Sequence, residues 1–262
     1  MKKEVEIRFL EDCLLIDKEI LVFGDVHIGY EEHIAERGAI PDVQFKEIIE
    51  RLDRVFKLLK KDGILIKQII ILGDLKHEFG GISDKEWSET LRLIDYLDKK
   101  IEKDDMNKQK KDKIILIKGN HDNILGPIAK KRDLKVVDYY KVKGICFMHG
   151  NKLYNGCFED CKYFILGHLH PSISLVDKYK KEKFKCFLKG KWKNKEVYVL
   201  PSFSPISFGY DLNSFRYEKE QDNGFFIVPE KDLKKFEVII YNNLENRNYN
   251  FGKLSKIIEK MN

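Results

Sequence analysis

Ile114-Ile115-Leu116-Ile117-Lys118-Gly119-Asn120-His121-Asp122 reads as a buried strand that opens at its carboxyl end into a polar loop. A short β-branched run, bounded by charge and then by Gly-Asn, has the composition of such a strand. The loop carries an amide oxygen at Asn120 and an imidazole at His121, groups that suit a metal ion and a substrate oxygen. Four further stretches share the design: Gly24-Asp25-Val26-His27, Gly73-Asp74-Leu75-Lys76-His77, His149-Gly150-Asn151 and Gly167-His168-Leu169-His170. Each follows an apolar run and sets Asp, Asn or His just beyond it, where ligands collect in open α/β sheets.

The order around these stretches is strand, helix, strand, helix, strand. Glu4 to Leu10 and Cys13 to Ile16 suggest strands of a half-buried outer sheet, and Ile20-Leu21-Val22-Phe23 is an apolar strand that delivers Asp25 and His27. A short helix over Tyr30 to Arg37 is stopped by Gly38, with Pro41 after it. Phe45, Ile48, Ile49, Leu52, Val55, Phe56 and Leu59 have helical spacing, with Gly63 at the position of a C-terminal cap. Gln68 to Leu72 is the next strand. Ser83 and Glu86 form a capping box for a helix with Trp87, Leu91, Ile94, Leu97 and Ile101 on one face. Lys103 to Lys113 is a charged linker. Beyond Asp122 a helix over Ile124 to Lys131 leads to strands near Leu134 to Val137, Ile145 to Met148 and Tyr163 to Leu166. The last third is read as strands at Lys183 to Trp192, Val197 to Leu200, Phe225 to Val228 and Glu237 to Tyr241, forming a second sheet on the first, and a helix over Leu254 to Lys260.

A chain of 262 residues, 43% of them hydrophobic, can bury a sizeable core. It is read as one domain over 1–262 with a Lys-rich hairpin insertion around 177–196, and without internal repeats. No apolar run approaches bilayer length, and Met1-Lys2-Lys3-Glu4 continues into a charged segment, so a cytoplasmic protein with no membrane partner is expected. The five cysteines, Cys13, Cys146, Cys157, Cys161 and Cys186, sit mostly in apolar segments and are read as reduced thiols; Cys157-x-x-x-Cys161 lacks a second pair for a zinc site. The net charge of +6 permits a nucleic-acid partner without requiring one.

Asp, Asn and His gathered at one sheet edge are enough for a pair of divalent cations. Mixed imidazole and carboxylate ligands suit Mn²⁺, Fe²⁺ or Zn²⁺; Mg²⁺ prefers oxygen alone, and a zinc-only site would more often include Cys. In this order, Asp25-x-His27, Gly73-Asp74, Gly119-Asn120-His121-Asp122, His149 and Gly167-His168-x-His170 resemble the motif series of the calcineurin-like metallophosphoesterases. Gly29-Tyr30-Glu31, Lys76-His77-Glu78-Phe79 and Leu200-Pro201-Ser202-Phe203-Ser204-Pro205 further resemble the SbcD-related, ICC-like archaeal and bacterial branch. The usual Gly-Asp-x-x-Asp form of the second motif is absent, and the motif carries His77.

The resemblance implies a four-layer αββα sandwich of mixed α/β class and hydrolysis of a phosphoester by in-line attack of metal-bound hydroxide. By motif, Asp25, His27 and His170 hold one metal, Asn120, His149 and His168 the other, and Asp74 bridges both. Mn is the expected metal, with Fe, Ni or Zn as alternatives. His121 faces the leaving group as general acid or hydrogen-bond donor, and Asp122 orients His121 through its other ring nitrogen. His77 is placed at the edge of the active site, and His33 is read as structural or surface-exposed. A phosphodiester, with nucleic acid leading, is the expected substrate. A cyclic-nucleotide or other small-molecule phosphodiesterase is the second reading, and a non-catalytic scaffold the third. A DNA-repair or helicase partner and the oligomeric state are left open.

Lys178 to Lys195 carries nine lysines interleaved with Tyr179, Phe184, Phe187 and Trp192. Lys180, Lys183, Lys185 and Lys191 are candidates to follow a phosphate backbone, with the aromatics stacking bases. The plainer alternative is an amphipathic hairpin with aromatics inside and solvated lysines. Tyr210 to Asn223 reads as a polar loop beside the site.

Overall fold

The computed structural model describes residues 4–35, 43–78, 80–101, 110–177, 180–216 and 225–260. The stop at Gly38 and Pro41, most of the linker before Lys110, Phe79, Tyr179 and the far end of the Tyr210 loop lie outside these residues. Strands β1 (Ile7–Leu10), β2 (Cys13–Ile16), β3 (Ile20–Phe23), β4 (Gln68–Ile71), β5 (Ile114–Ile117) and β6 (Lys135–Val137) form a six-stranded sheet in that order. β1 to β3 pair antiparallel and β3 to β6 parallel. The parallel crossovers use α1 (Tyr30–Ala35) and α2 (Gln44–Lys61), then α3 (Asp84–Lys100) and α4 (Lys110–Lys113), then α5 (Leu125–Lys131).

Because the strand order never reverses, right-handed crossovers put the helices on a single face of the sheet. The packing agrees. Leu21, Phe23, Ile69, Ile71, Ile114 and Leu116 share a core with Ile48, Leu52 and Val55 of α2, Leu93 and Leu97 of α3, and Ile128 of α5. The alternate residues Val22, Ile70, Leu72, Ile115 and Ile117 point to the other side. Covered on both faces, these strands read as unbroken apolar runs.

The other side is covered by a second sheet. Its strands are drawn from β7 (Tyr139–Val142), β8 (Ile145–Met148), β9 (Tyr163–Leu166), β10 (Pro171–Asp177), β11 (Lys180–Lys185), β12 (Phe187–Trp192), β13 (Lys195–Val199), β14 (Tyr210–Asp211), β15 (Glu237–Asn242) and β16 (Arg247–Lys253). Seven of them lie in the order β16-β15-β12-β13-β9-β8-β7, and β11-β10-β14 form a separate small sheet. Ile145, Phe147, Ile165, Phe187 and Tyr198 interleave with the inward residues of the first sheet. Each such fully buried aliphatic or aromatic side chain contributes about 1.5–3 kcal/mol. Outside the second sheet, α6 (Glu230–Leu233) and α7 (Leu254–Lys260) cover it together with Ile173 of the small sheet. The expected mixed α/β sandwich is therefore present, with a strand-rich cover over its second sheet.

Several local readings change. Lys183 to Trp192 is two strands in different sheets, divided at Cys186. Phe225 to Val228 is irregular, because Val228 is buried while the Ile227 amide is taken up by the Gly150 carbonyl. Ser83 Oγ accepts from the Glu86 amide at 3.0 Å, but the Glu86 carboxylate turns away to bind the His77 and Glu78 amides, so only half of the capping box forms. Cys146 and Cys157 are joined in a disulfide, whereas Cys13, Cys161 and Cys186 are free and buried, so the reading of five reduced thiols is corrected at one pair. No helix among the described residues is long and apolar enough to cross a membrane.

Candidate metal centre

Parallel pairing of β3, β4 and β5, and of β8 with β9, brings five carboxyl strand ends to one edge of the sandwich. The chains stay linked beyond the strands. The Asp25 amide donates to the Gly73 carbonyl and the His27 amide to the Asp74 carbonyl, each at 2.9 Å, and the Gly167 amide donates to the His149 carbonyl at 2.8 Å. Asp25, His27, Asp74, His168 and His170 all have φ between 48° and 66°. Non-glycine residues held in this left-handed region are uncommon and cluster at sites where surrounding structure imposes them. The approach between loops is close. A Cβ added at Gly119 would fall inside the Asp74 carboxylate, and one at Gly167 would lie 2.6 Å from Asp25 Oδ2.

The seven expected ligands gather into two adjoining sets. Asp25, His27 and His170 form one, with His170 Nε2 3.1 Å from Asp25 Oδ1 and 3.4 Å from His27 Nε2. Asp74, His149 and His168 form the other, and Asn120 Oδ1 lies 3.0 Å from His149 Nε2. Asp74 stands between them, its Oδ2 3.3 Å from His149 Nε2 and 3.8 Å from His27 Nε2.

The donor chemistry fits divalent cations. His149 Nδ1 faces the Leu72 carbonyl at 2.8 Å and His168 Nε2 the Phe225 carbonyl at 2.9 Å. A ring N–H at each of these positions leaves His149 Nε2 and His168 Nδ1, 3.0 Å apart, bare toward each other in the neutral rings. Two lone pairs so placed call for a cation between them. Burial, then the neighbouring His170, pushes His27 down to about 3; burial, then His149, pushes His168 down to about 4. Burial alone would raise Asp25 and Asp74, but His170 and His149 beside Asp25, and His149 and His27 beside Asp74, more than offset it and hold both carboxylates below their ordinary range. Burial also works against charge on His149, yet Asp74 and Asp25 raise it to about 9. The two carboxylates thus favour a positive charge beside them, which falls on His149 alone of these three histidines.

His121 joins the cluster, its Nδ1 against the His77 carbonyl and its Nε2 3.9 Å from Asp74 Oδ2. Asp122 does not orient it. The buried Asp122 carboxylate instead accepts from the amides of Leu75 at 3.1 Å, Lys76 at 3.4 Å and Gly119 at 3.0 Å, tying the second motif to the third. Burial, with Asp74 nearby, pushes its carboxyl up to about 6. His77 lies within the cluster, Nδ1 3.4 Å from His27 Nδ1 and its ring stacked on His121. His33 is half-exposed, 3.8 Å from the Glu78 carboxylate.

The four candidate lysines do not form one surface. Lys180 and Lys183 are exposed on β11 and Lys191 on β12, in different sheets, while Phe187 and Trp192 are buried. Lys185 turns inward: its Nζ donates to the carbonyls of Ser202 at 2.7 Å and Ser204 at 2.6 Å, so it is withdrawn as a nucleic-acid contact. Supporting residues not singled out as such from sequence also appear here. Ser202 Oγ donates to the Asp25 carbonyl at 2.7 Å, the Gln44 amide nitrogen to the His27 carbonyl at 2.8 Å, and Glu31 accepts from the Val43 and Gln44 amides. Of these, only the Ser-Phe-Ser and Gly-Tyr-Glu stretches carry a sequence signal.

A family profile described as calcineurin-like phosphoesterase matches residues 18–234. Among solved structures, the Pseudomonas putida nuclease MPE is similar with a TM-score of 0.58 and 17% identity, over 95% of this chain and all of that one. Vacuolar protein sorting 29 from Cryptosporidium parvum aligns at 14% identity over 89% of this chain and 97% of that one, with a TM-score of 0.38. YfcE, a phosphoesterase from E. coli, aligns at 12% identity over 86% and 88%, with a TM-score of 0.33. The comparison with curated proteins returns no match.

Proposed function

Because the chain belongs to the calcineurin-like phosphoesterase family, we propose that it is a two-metal phosphodiesterase of the SbcD-related branch acting on nucleic acid. The observation that carries this reading is the gathering of seven Asp, Asn and His ligands from five strand ends into two adjoining sets. Asp25, His27 and His170 would hold one cation, Asn120, His149 and His168 the other, with Asp74 shared. This set of imidazole, carboxylate and amide donors suits Mn²⁺ first, with Fe, Ni or Zn as alternatives. When bound, such a pair acidifies water and neutralises charge on a phosphoryl group.

The remaining steps fall to the chain. His121 is anchored by Nδ1 at the His77 carbonyl and turns Nε2 toward the site. In its protonated form that nitrogen donates to a phosphoryl or leaving oxygen, help worth about 10²–10⁴-fold. Asp122 keeps the loops carrying Asp74 and Asn120 in register through their amides, and Ser202 fixes the main chain at Asp25. Support for nucleic acid as substrate class comes from the nuclease that aligns over its whole length.

The test is a substrate panel with Mn²⁺: single-stranded DNA, RNA, cyclic nucleotides and bis-p-nitrophenyl phosphate. Cleavage of nucleic acid, abolished by EDTA and by Asp74→Ala, is expected. Turnover of cyclic nucleotides alone would replace the nuclease reading with the small-molecule one, and inactivity on every ester with every divalent metal would favour a scaffold.

A further inference from the structure

Phe225 presents an aromatic ring at the metal site that the proposed chemistry does not use. The residue is 53% exposed. The ring lies over the imidazole of His168, centroids 4.6 Å apart and planes tilted by 36°, so part of it rests on a metal-ligand candidate while about half of the residue stays exposed among the described residues. The main chain is held at Phe225 and just after it: His168 Nε2 bonds the Phe225 carbonyl, and the Ile227 amide donates to the Gly150 carbonyl at 3.0 Å. The residues that follow point inward. Phe226 and Ile227 pack on the outer core and Val228 is buried in it, leaving Phe225 alone turned outward.

An anchored, half-exposed ring beside a phosphodiester site suits a flat π-system. Every nucleobase has one, and stacking on an aromatic side chain is the common sequence-tolerant way to hold an unpaired base. Paired bases within a duplex have their faces occupied by neighbours, so the platform selects unstacked nucleotides. Resting on the nucleic-acid reading above, we propose that Phe225 is the stacking platform for an unpaired nucleobase adjoining the scissile phosphate. It is then a specificity-determining residue for single-stranded substrate.

The test uses the full chain with Mn²⁺ and single-stranded oligonucleotides in which one phosphodiester alone is cleavable, the others being phosphorothioates. Three versions carry bases on both flanking nucleotides, or an abasic nucleotide on one side or the other. For the wild type, removing one of the two bases should lower kcat/KM by about 5- to 150-fold. Phe225→Ala should lower cleavage of the fully based strand by a similar factor and abolish the penalty for removing that base. Phe225→Trp should restore both. A merely structural role would slow all three strands equally. If the wild type cleaves the strands and Phe225→Ala keeps the same base dependence, the platform is refuted while the nuclease reading stands. If the wild type turns over bis-p-nitrophenyl phosphate but none of the strands, the nuclease reading fails, and the platform with it.

Discussion

Replacing Lys185 by Met keeps the apolar stem of the side chain, one atom shorter, and removes its ammonium, which is largely buried. Nζ donates to the carbonyls of Ser202 and Ser204, and Asp12 Oδ2 is 3.9 Å away. Those serines in turn hold the Asp25 carbonyl, through Ser202 Oγ and the Ser204 amide. Two buried carbonyls left without this donor cost roughly 1–3 kcal/mol each, so a loss of roughly 2–6 kcal/mol is expected near neutral pH. At about 2–4 °C per kcal/mol for a chain of this size, melting falls by roughly 4–24 °C.

The pH dependence has a definite sign. Burial, opposed mainly by Asp12, pushes the Lys185 pKa down to about 8, against about 10.4 in an unfolded chain. Between those values the unfolded chain holds a proton that the folded one has released, so wild-type stability rises with pH through the window. Lys185→Met has no such group. Its deficit relative to wild type should therefore widen, by about 2 kcal/mol between about pH 7.5 and about pH 9.5. Urea unfolding of both proteins at the two pH values measures it. A deficit that narrows with pH, or a variant as stable as wild type that has lost only DNA affinity, would refute the internal role and return Lys185 to the surface.

Gly119→Ala changes no ligand but drives a methyl group into the Asp74 carboxylate, so Mn²⁺ binding and activity should both be lost; Gly126→Ala, which meets open space in α5, should be neutral or stabilising by up to about 1 kcal/mol in a thermal melt. Asp122→Asn should lower stability by roughly 1–3 kcal/mol, because an amide group cannot accept from all the amides the carboxylate now serves. Calorimetry checks it, and unchanged stability would argue against the tie between motifs. Chelation with EDTA should lower the melting temperature and Mn²⁺ restore it, since cations bound only by the folded chain stabilise it by mass action; a melt indifferent to both would count against a metal site.

The strands that build the site were legible because they are covered on both faces. Ile20–Phe23, Gln68–Ile71, Ile114–Ile117, Ile145–Met148 and Tyr163–Leu166 are apolar at nearly every position and end in the site residues. Strands with one face in water were harder to see. β16 is exposed along almost its whole length, with only Tyr249 and Phe251 alternating with polar residues, while β10, buried over its first four residues, was missed because it follows directly on His170. Ligand residues were readable because each stands one to four positions beyond a strand. Their supports were not, since Ser202, Gln44 and Lys185 reach the site through contacts 17 to 177 residues away in the chain. Lys185 shows the limit well: in sequence it is one of nine lysines, and only the turn at Cys186 sends it inward. Asp122 was misassigned because adjacency to His121 suggested a pairing that the backbone amides of Leu75, Lys76 and Gly119 take instead.

Anomalous diffraction from Mn²⁺-soaked crystals tests the metal centre most directly. Two peaks per chain are expected, one among Asp25, His27 and His170, the other among Asn120, His149 and His168, with Asp74 reaching both, and both lost in Asp74→Ala. A single peak, peaks elsewhere, or an unchanged pair in Asp74→Ala would contradict a shared two-metal site.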